Sequence, residues 1–127
     1  MLSVDTNVVV RLLVNDDPQQ GERARKLFDS NQVWIGVTVL LESAWVLESA
    51  YGLSAAESAR ALRGLLGLPN VQVEEATSIA AALDATRSGM ELADALHLLR
   101  TSEASEFVTF DRALARAGKK LRPTRLA

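Results

Sequence analysis

Short apolar runs alternate with amphipathic stretches along the whole chain, and this alternation restricts the fold more than any other feature. Residues 1–4, 33–36, 71–73 and 106–110 read as strands, the first of them buried, and Leu121 marks a fifth inside a basic tail. Between them, helical patterns run over residues 7–14, 18–29, 38–51, 54–66, 77–87, 91–103 and 111–117. The β-branched run in 7–14 leaves strand as an alternative there. Strands that alternate with helices imply right-handed parallel βαβ units, and so an α/β architecture. The 127 residues suit one domain, and no repeat or linker divides them, so 1–127 is read as a single domain.

Local chemistry punctuates the pattern. Asp17 before Pro18 is a helix start, with Pro at the first helical position. Ser54 and Glu57 form a capping box, and Gly67 with Pro69 closes that helix. Thr38 is expected to cap the long apolar helix after the second strand, and Gly89 and Gly118 to stop two others.

Composition narrows the function. The chain has no cysteine, which excludes disulfide frameworks and thiolate zinc sites and fits a reducing, cytoplasmic setting. The N-terminus lacks a basic region, and Asp5 interrupts its apolar start, so no export signal is expected. No apolar run approaches the roughly 18 residues that a membrane span needs. A net charge of −2 argues against gripping nucleic acid by bulk charge.

Four acids stand out by position: Asp5, Glu42, Asp94 and Asp111. Asp5 and Asp111 directly follow the first and fourth strands, whose carboxyl ends border the site crevice of an open parallel sheet. Glu42 and Asp94 lie in the first turns of apolar helices, whose N-termini return to that same edge. Helix dipoles offer a structural reason for Asp94, and N-capping offers one for Asp111. Asp5 has fewer structural duties as a strand-end acid, and Glu42 sits among apolar neighbours, where an unpaired acid would be costly. Two unit charges ~4 Å apart repel by roughly 4 kcal/mol at an effective dielectric of about 20. Four converging carboxylates therefore call for a hard divalent cation with oxygen ligands, and for metal-dependent phosphodiester chemistry.

Val4-Asp5-Thr6-Asn7, Leu41-Glu42, Leu92-Ala93-Asp94-Ala95-Leu96 and Phe107-Val108-Thr109-Phe110-Asp111-Arg112, in this order and spacing, resemble the PIN-domain ribonucleases. With Trp45-Val46-Leu47 and Tyr51-Gly52-Leu53-Ser54, the nearest subgroup is the VapC-type toxins of toxin–antitoxin pairs. The resemblance spans residues 1 to about 122. It implies an α/β/α sandwich with a parallel sheet of about five strands in the order 3-2-1-4-5. It also implies catalysis and metal binding at Asp5, Glu42, Asp94 and Asp111, with Asn7 and Thr109 supporting the acids by hydrogen bonds. An RNA substrate, a homodimer and a VapB-type antitoxin covering the active-site groove follow from the same likeness.

The chemistry fits independently. Mg²⁺ or Mn²⁺ lowers the pKa of a bound water and neutralises phosphate charge during in-line attack. Asp5 is the first expected direct ligand; Asp94 and Asp111 bind directly or through water, and Glu42 positions or deprotonates the attacking water. Arg11, Arg112 and Arg116, with the tail Lys119–Arg125, are candidates for RNA phosphate contacts, a solubilising tail being the competing view. His97, three residues after Asp94, reads as a polar helix-face residue rather than a catalytic one; Glu48 as solvent-facing; Trp34 and Trp45 as core rather than base-stacking platforms; Glu74-Glu75 as a solvated loop. Residues 55–68 are either a dimer face or ordinary core.

Rival readings remain. A haloacid-dehalogenase-type phosphatase would carry a second Asp where this chain has Asn7. A phosphate-accepting receiver domain would want paired acids at the first strand end and a lysine after the fifth, and neither stands in place. A catalytically inactive PIN-like partner-binding protein is the non-enzyme alternative.

Overall fold

Side-chain caps decide where several helices begin. Asp17 Oδ1 accepts from the Gln20 N–H at 3.0 Å and Pro18 opens α2 (Pro18–Ser30). Ser54 and Glu57 complete the expected box at 3.1 and 2.9 Å, starting α4 (Ala55–Leu66). The β-branched segment after Asp5 is helix, α1 (Thr6–Leu13), capped by Asp5 and buried through Thr6, Val9 and Val10. The expected Thr38 cap is not made. α3 (Val37–Ser49) starts two residues earlier, because Gly36 takes the extended capping conformation, and Thr38 lies exposed in the first turn.

The remaining helices in this computed structural model, which describes residues 1–101 and 103–127, are α5 (Ala76–Ala85), α6 (Leu92–Leu99) and α7 (Arg112–Gly118). A 3₁₀ turn, Thr86–Ser88, extends α5 and ends at Gly89, whose φ of 93° is open to glycine at little cost. α6 is shorter than its pattern predicts. The half-buried Arg122 guanidinium donates to the carbonyls of Leu98 (3.1 Å) and Thr101 (2.6 Å), satisfying orphan acceptors where the helix would otherwise continue.

Five parallel strands form two ladders: β1 (Leu2–Ser3), β2 (Val33–Trp34) and β3 (Val71–Gln72) in the order 3-2-1, and β4 (Phe107–Thr109) with β5 (Thr124–Leu126). Neighbours within each ladder are those expected. The single sheet 3-2-1-4-5 is not completed, since no backbone ladder joins β1 to β4 among the described residues. With two or three residues apiece, the strands carry too few ladder bonds to enforce that join. β1 is consequently not the buried strand expected: Leu2 and Ser3 are exposed and only Val4 enters the core. β5 also lies beyond Leu121. The chain first turns on Gly118, whose carbonyl accepts from Leu121 (2.9 Å) and Arg122 (3.0 Å). A Cβ on Gly118 would stand 3.0 Å from Thr124 Oγ1 and 3.2 Å from Leu98, so only glycine lets α7 close on β5 without displacement.

The core is a continuous cluster in which Val33 and Ile35 meet Leu40, Leu47, Leu62, Ile79 and Leu98, all nearly inaccessible. α4 spends Ala59, Leu62 and Leu65 on this core. α1 packs on α2 and α3, α3 on α4, α4 on α5, and α5 on α6, giving the α/β/α architecture read from the sequence. No helix is long and apolar enough to cross a membrane among the described residues.

Candidate active site

Asp5 leaves β1 and immediately caps α1, its Oδ1 accepting from the Val8 N–H at 3.2 Å. The strand-end acid therefore has a structural duty that its position did not advertise. Its neighbour Thr6 is buried and donates its hydroxyl to Glu42 Oε1. That contact ties the start of α1 to α3, 36 residues away in sequence. Glu42 itself is exposed, so the expectation that apolar neighbours would make it costly does not hold: α3 turns the carboxylate outward while Leu40, Ala44 and Leu47 point in.

Asp5 and Asn7, both exposed, line a cleft with Val8, Arg11, Gln20 and Arg23. Arg11 is already engaged. It pairs with Asp16 at 3.0 Å and donates to Tyr51 Oη at 2.9 Å and Gln20 at 2.7 Å. The Tyr51 hydroxyl donates to Asp16 at 2.6 Å. That bond and the Arg11 charge hold the Asp16 carboxyl below its usual value, while Arg11 is raised, foremost through Tyr51.

The other two acids meet on the far side of the chain's topology. Asp94, half-buried in the first turn of α6, and the exposed Asp111 line a single cleft of about 300 Å³ with Glu91 and the turn Ser88-Gly89-Met90. Asp111 caps α7, with Oδ1 accepting from the Leu114 N–H at 3.0 Å. Its own N–H donates to Thr109 Oγ1 at 3.0 Å, so Thr109 anchors the backbone of the acid. Arg112 and Arg116 are exposed and line a basic cleft with Lys119 and Arg125; Arg125 pairs with Glu106 at 2.7 Å.

Asp94 and Asp111 thus share one cleft, whereas Glu42 is tied to Thr6, the chain neighbour of Asp5, and not to Asp5 itself. Among the described residues, no three Asp, Glu, His or Cys groups converge closely enough to hold a metal ion. Two minor expectations change. Trp45 is 68% exposed rather than core, because it follows Glu42 on the outer face of α3. Glu48 is half-buried and accepts from Ser58 Oγ at 3.3 Å. Glu74 and Glu75 are exposed, as read, but both pair with Arg100, at 3.1 and 2.9 Å. His97 is exposed on α6. Thr6 was not singled out in the sequence; its place between Asp5 and Asn7, inside the motif, was the signal available.

Residues 2–120 match the PIN domain family. The chain belongs to that family. PIN domains are generally metal-dependent nucleases of α/β/α fold, which agrees with the layers and parallel ladders described above. No curated protein and no solved structure matches the chain.

PIN-domain nucleases generally use a divalent cation, and the donors present can be matched to one. Asp5 and Asp111 each commit one carboxylate oxygen, Oδ1, to a helix cap. The second oxygen of each has no protein partner among the described residues, and it is a hard donor of the kind Mg²⁺ and Mn²⁺ take. Among the described residues, the cleft of Asp94 and Asp111 is lined by no basic side chain that could neutralise them. The donor chemistry fits such a cation.

Proposed function

We propose that this PIN domain is a Mg²⁺- or Mn²⁺-dependent endoribonuclease of the VapC type, the toxin of a type II toxin–antitoxin pair. The observation that carries the reading is the Asp94–Asp111 cleft, acidic and without a basic partner in its lining, in a chain of a nuclease family. Asp94 and Asp111 would hold the cation, and Asp5 and Glu42 would complete the acidic edge. When bound, the cation supplies charge neutralisation at the phosphate and activates the water for in-line attack. Glu42, oriented by the Thr6 hydroxyl, positions that water or takes its proton. Thr109 and the α7 cap fix Asp111, and Asn7 lies beside Asp5 in its cleft. Arg112 and Arg116, unpaired with carboxylates among the described residues, hold flanking RNA phosphates; Arg11 is spent on Asp16 and Tyr51 and contributes least. The working form is a cytoplasmic homodimer controlled by a VapB-type antitoxin, as the resemblance of the Asp5, Glu42, Asp94 and Asp111 motifs supports.

The second reading is a PIN-like fold kept for partner binding. It draws on the absence of a three-acid cluster among the described residues. Purified protein incubated with a mixed structured-RNA pool in Mg²⁺, in chelator, and as Asp94→Asn separates the two. Cleavage in Mg²⁺ that disappears in chelator and in the variant is expected. Intact RNA in every lane, with no Mg²⁺-dependent rise in melting temperature, would leave the partner-binding reading.

A further inference from the structure

Aromatic side chains are scarce in this chain, and the two that stand exposed each adjoin a candidate acid. Phe28 is buried, and Trp34, Tyr51 and Phe107 are half-buried. Phe110 is 90% exposed and Trp45 68%. Phe110 precedes Asp111, and Trp45 follows Glu42 by three residues, one turn along the same helix face.

Neither sits on a loose segment. Phe110 is held between Thr109, paired in register with Leu126, and Asp111, whose N–H and carboxylate are both hydrogen-bonded. Trp45 lies in the middle of α3, on an exposed stripe with Thr38, Glu42 and Ser49. The backbone that presents each ring is therefore already ordered before a ligand arrives. The surroundings of the rings say which ligand. Two residues after Phe110 comes Arg112, which lines a basic cleft with Arg116 and Lys119, and around Trp45 on α3 stand Glu42 and Ser49 with the half-buried Leu41. The surface around Phe110 is mixed: Val108 and Leu126 each stand 44% exposed, and Leu126 lines the basic cleft itself. A strand with unpaired bases and a polyanionic backbone would find a π face, a cation, and an acid edge able to recruit metal.

We propose that Trp45 and Phe110 are base-stacking platforms that seat unpaired nucleotides of a single-stranded RNA segment beside the acids, an inference that rests on the nuclease reading above. They are positioning residues: they fix where the strand lies and leave the chemistry to the carboxylates.

The test uses the whole protein in Ca²⁺ with two probes, an unstructured mixed-sequence RNA of about 12 nucleotides and inorganic polyphosphate of similar charge, which has no bases. RNA should quench tryptophan fluorescence, and Trp45→Leu should remove most of that quench. Polyphosphate should leave the fluorescence unchanged. Phe110→Ala should weaken RNA binding roughly ten-fold, the scale of one lost stacking contact. Phe110→Tyr should restore it, and polyphosphate affinity should stay the same throughout. Variants that bind RNA like wild type, in a protein that still cleaves in Mg²⁺, would overturn the stacking and leave the nuclease intact. Wild type that neither binds nor cleaves RNA would overturn both. Variants that change the sedimentation of the protein but not its RNA affinity would make the rings a contact between copies, and stacking would fall.

Discussion

On the N-terminal side of the site, the acids stand among groups that the protein itself supplies. Glu42 accepts the Thr6 hydroxyl, and the cleft of Asp5 contains Arg11 and Arg23. On the C-terminal side, Asp94 and Asp111 line a cleft whose only other charged group among the described residues is Glu91. Both sides use the same local device, an aspartate that closes a strand and caps the next helix through Oδ1. They differ in what surrounds the rest of the carboxylate. A crowded acid that meets an internal donor is settled by the fold; one that meets only other acids is settled by something bound from outside. Under the proposed function, this asymmetry would put the cation in the Asp94–Asp111 cleft and leave the Asp5–Glu42 side to orient.

The largest effect that would break this comparison belongs to Asp111. Asn can cap a helix nearly as well as Asp, so Asp111→Asn should keep stability while removing the charge. RNA cleavage should fall at least roughly a hundred-fold, the upper range for a partner that only supports a ligand. The rise in melting temperature on adding Mg²⁺ should shrink with it. Asp111→Ala should lose the same activity and about 1 kcal/mol of stability besides, read by denaturant unfolding. Full activity in Asp111→Asn would erase the distinction between the two sides.

A smaller effect sharpens the N-terminal half. Thr6→Val removes the one internal donor to Glu42 and keeps the shape. It should lower kcat roughly ten-fold, with KM for RNA unchanged, as expected for a group that orients a reacting residue. Equal kcat in the two proteins would mean that Glu42 needs no orienting.

The smallest lies at the rim, in the Arg11–Asp16–Tyr51 network. Asp16 is held below its ordinary value, first by the Tyr51 hydroxyl. A depressed carboxyl pKa contributes stability that is present above the unfolded value near 3.8 and disappears as pH falls through the lower folded value. Tyr51→Phe should therefore melt slightly below wild type at neutral pH, and the gap should close on acidification past that range. A gap independent of pH would assign the loss to packing.

The two sides were unequally legible. Asp17, Ser54, Glu57 and Gly89 announced their elements because caps and left-handed turns are decided within a few residues. The order of the four acids was legible for a similar reason: each sits at the end or start of an element the pattern defines. What stayed hidden depends on groups far away in sequence. Arg122 ends α6 from 24 residues downstream of Leu98, and Thr6 finds Glu42 across 36. Trp45 looked like core because its neighbours are apolar, yet α3 buries only part of its circumference, at Leu40, Ser43, Ala44 and Leu47. Periodicity in a helix apolar nearly all round does not say which face is left out.

The one-dimensional pattern was enough for the α/β class, the helix boundaries that carry caps and the candidacy of Asp5, Glu42, Asp94 and Asp111, since these follow from local sterics, hydrogen bonding and the alternation of periods. Tertiary structure alone gave Glu42 its Thr6 donor and brought Asp94 and Asp111 to one cleft, split the strands into two ladders, and turned Trp45 and Phe110 outward. Those outcomes depend on which surfaces meet, and burial is a property of neighbours that the chain acquires only by folding.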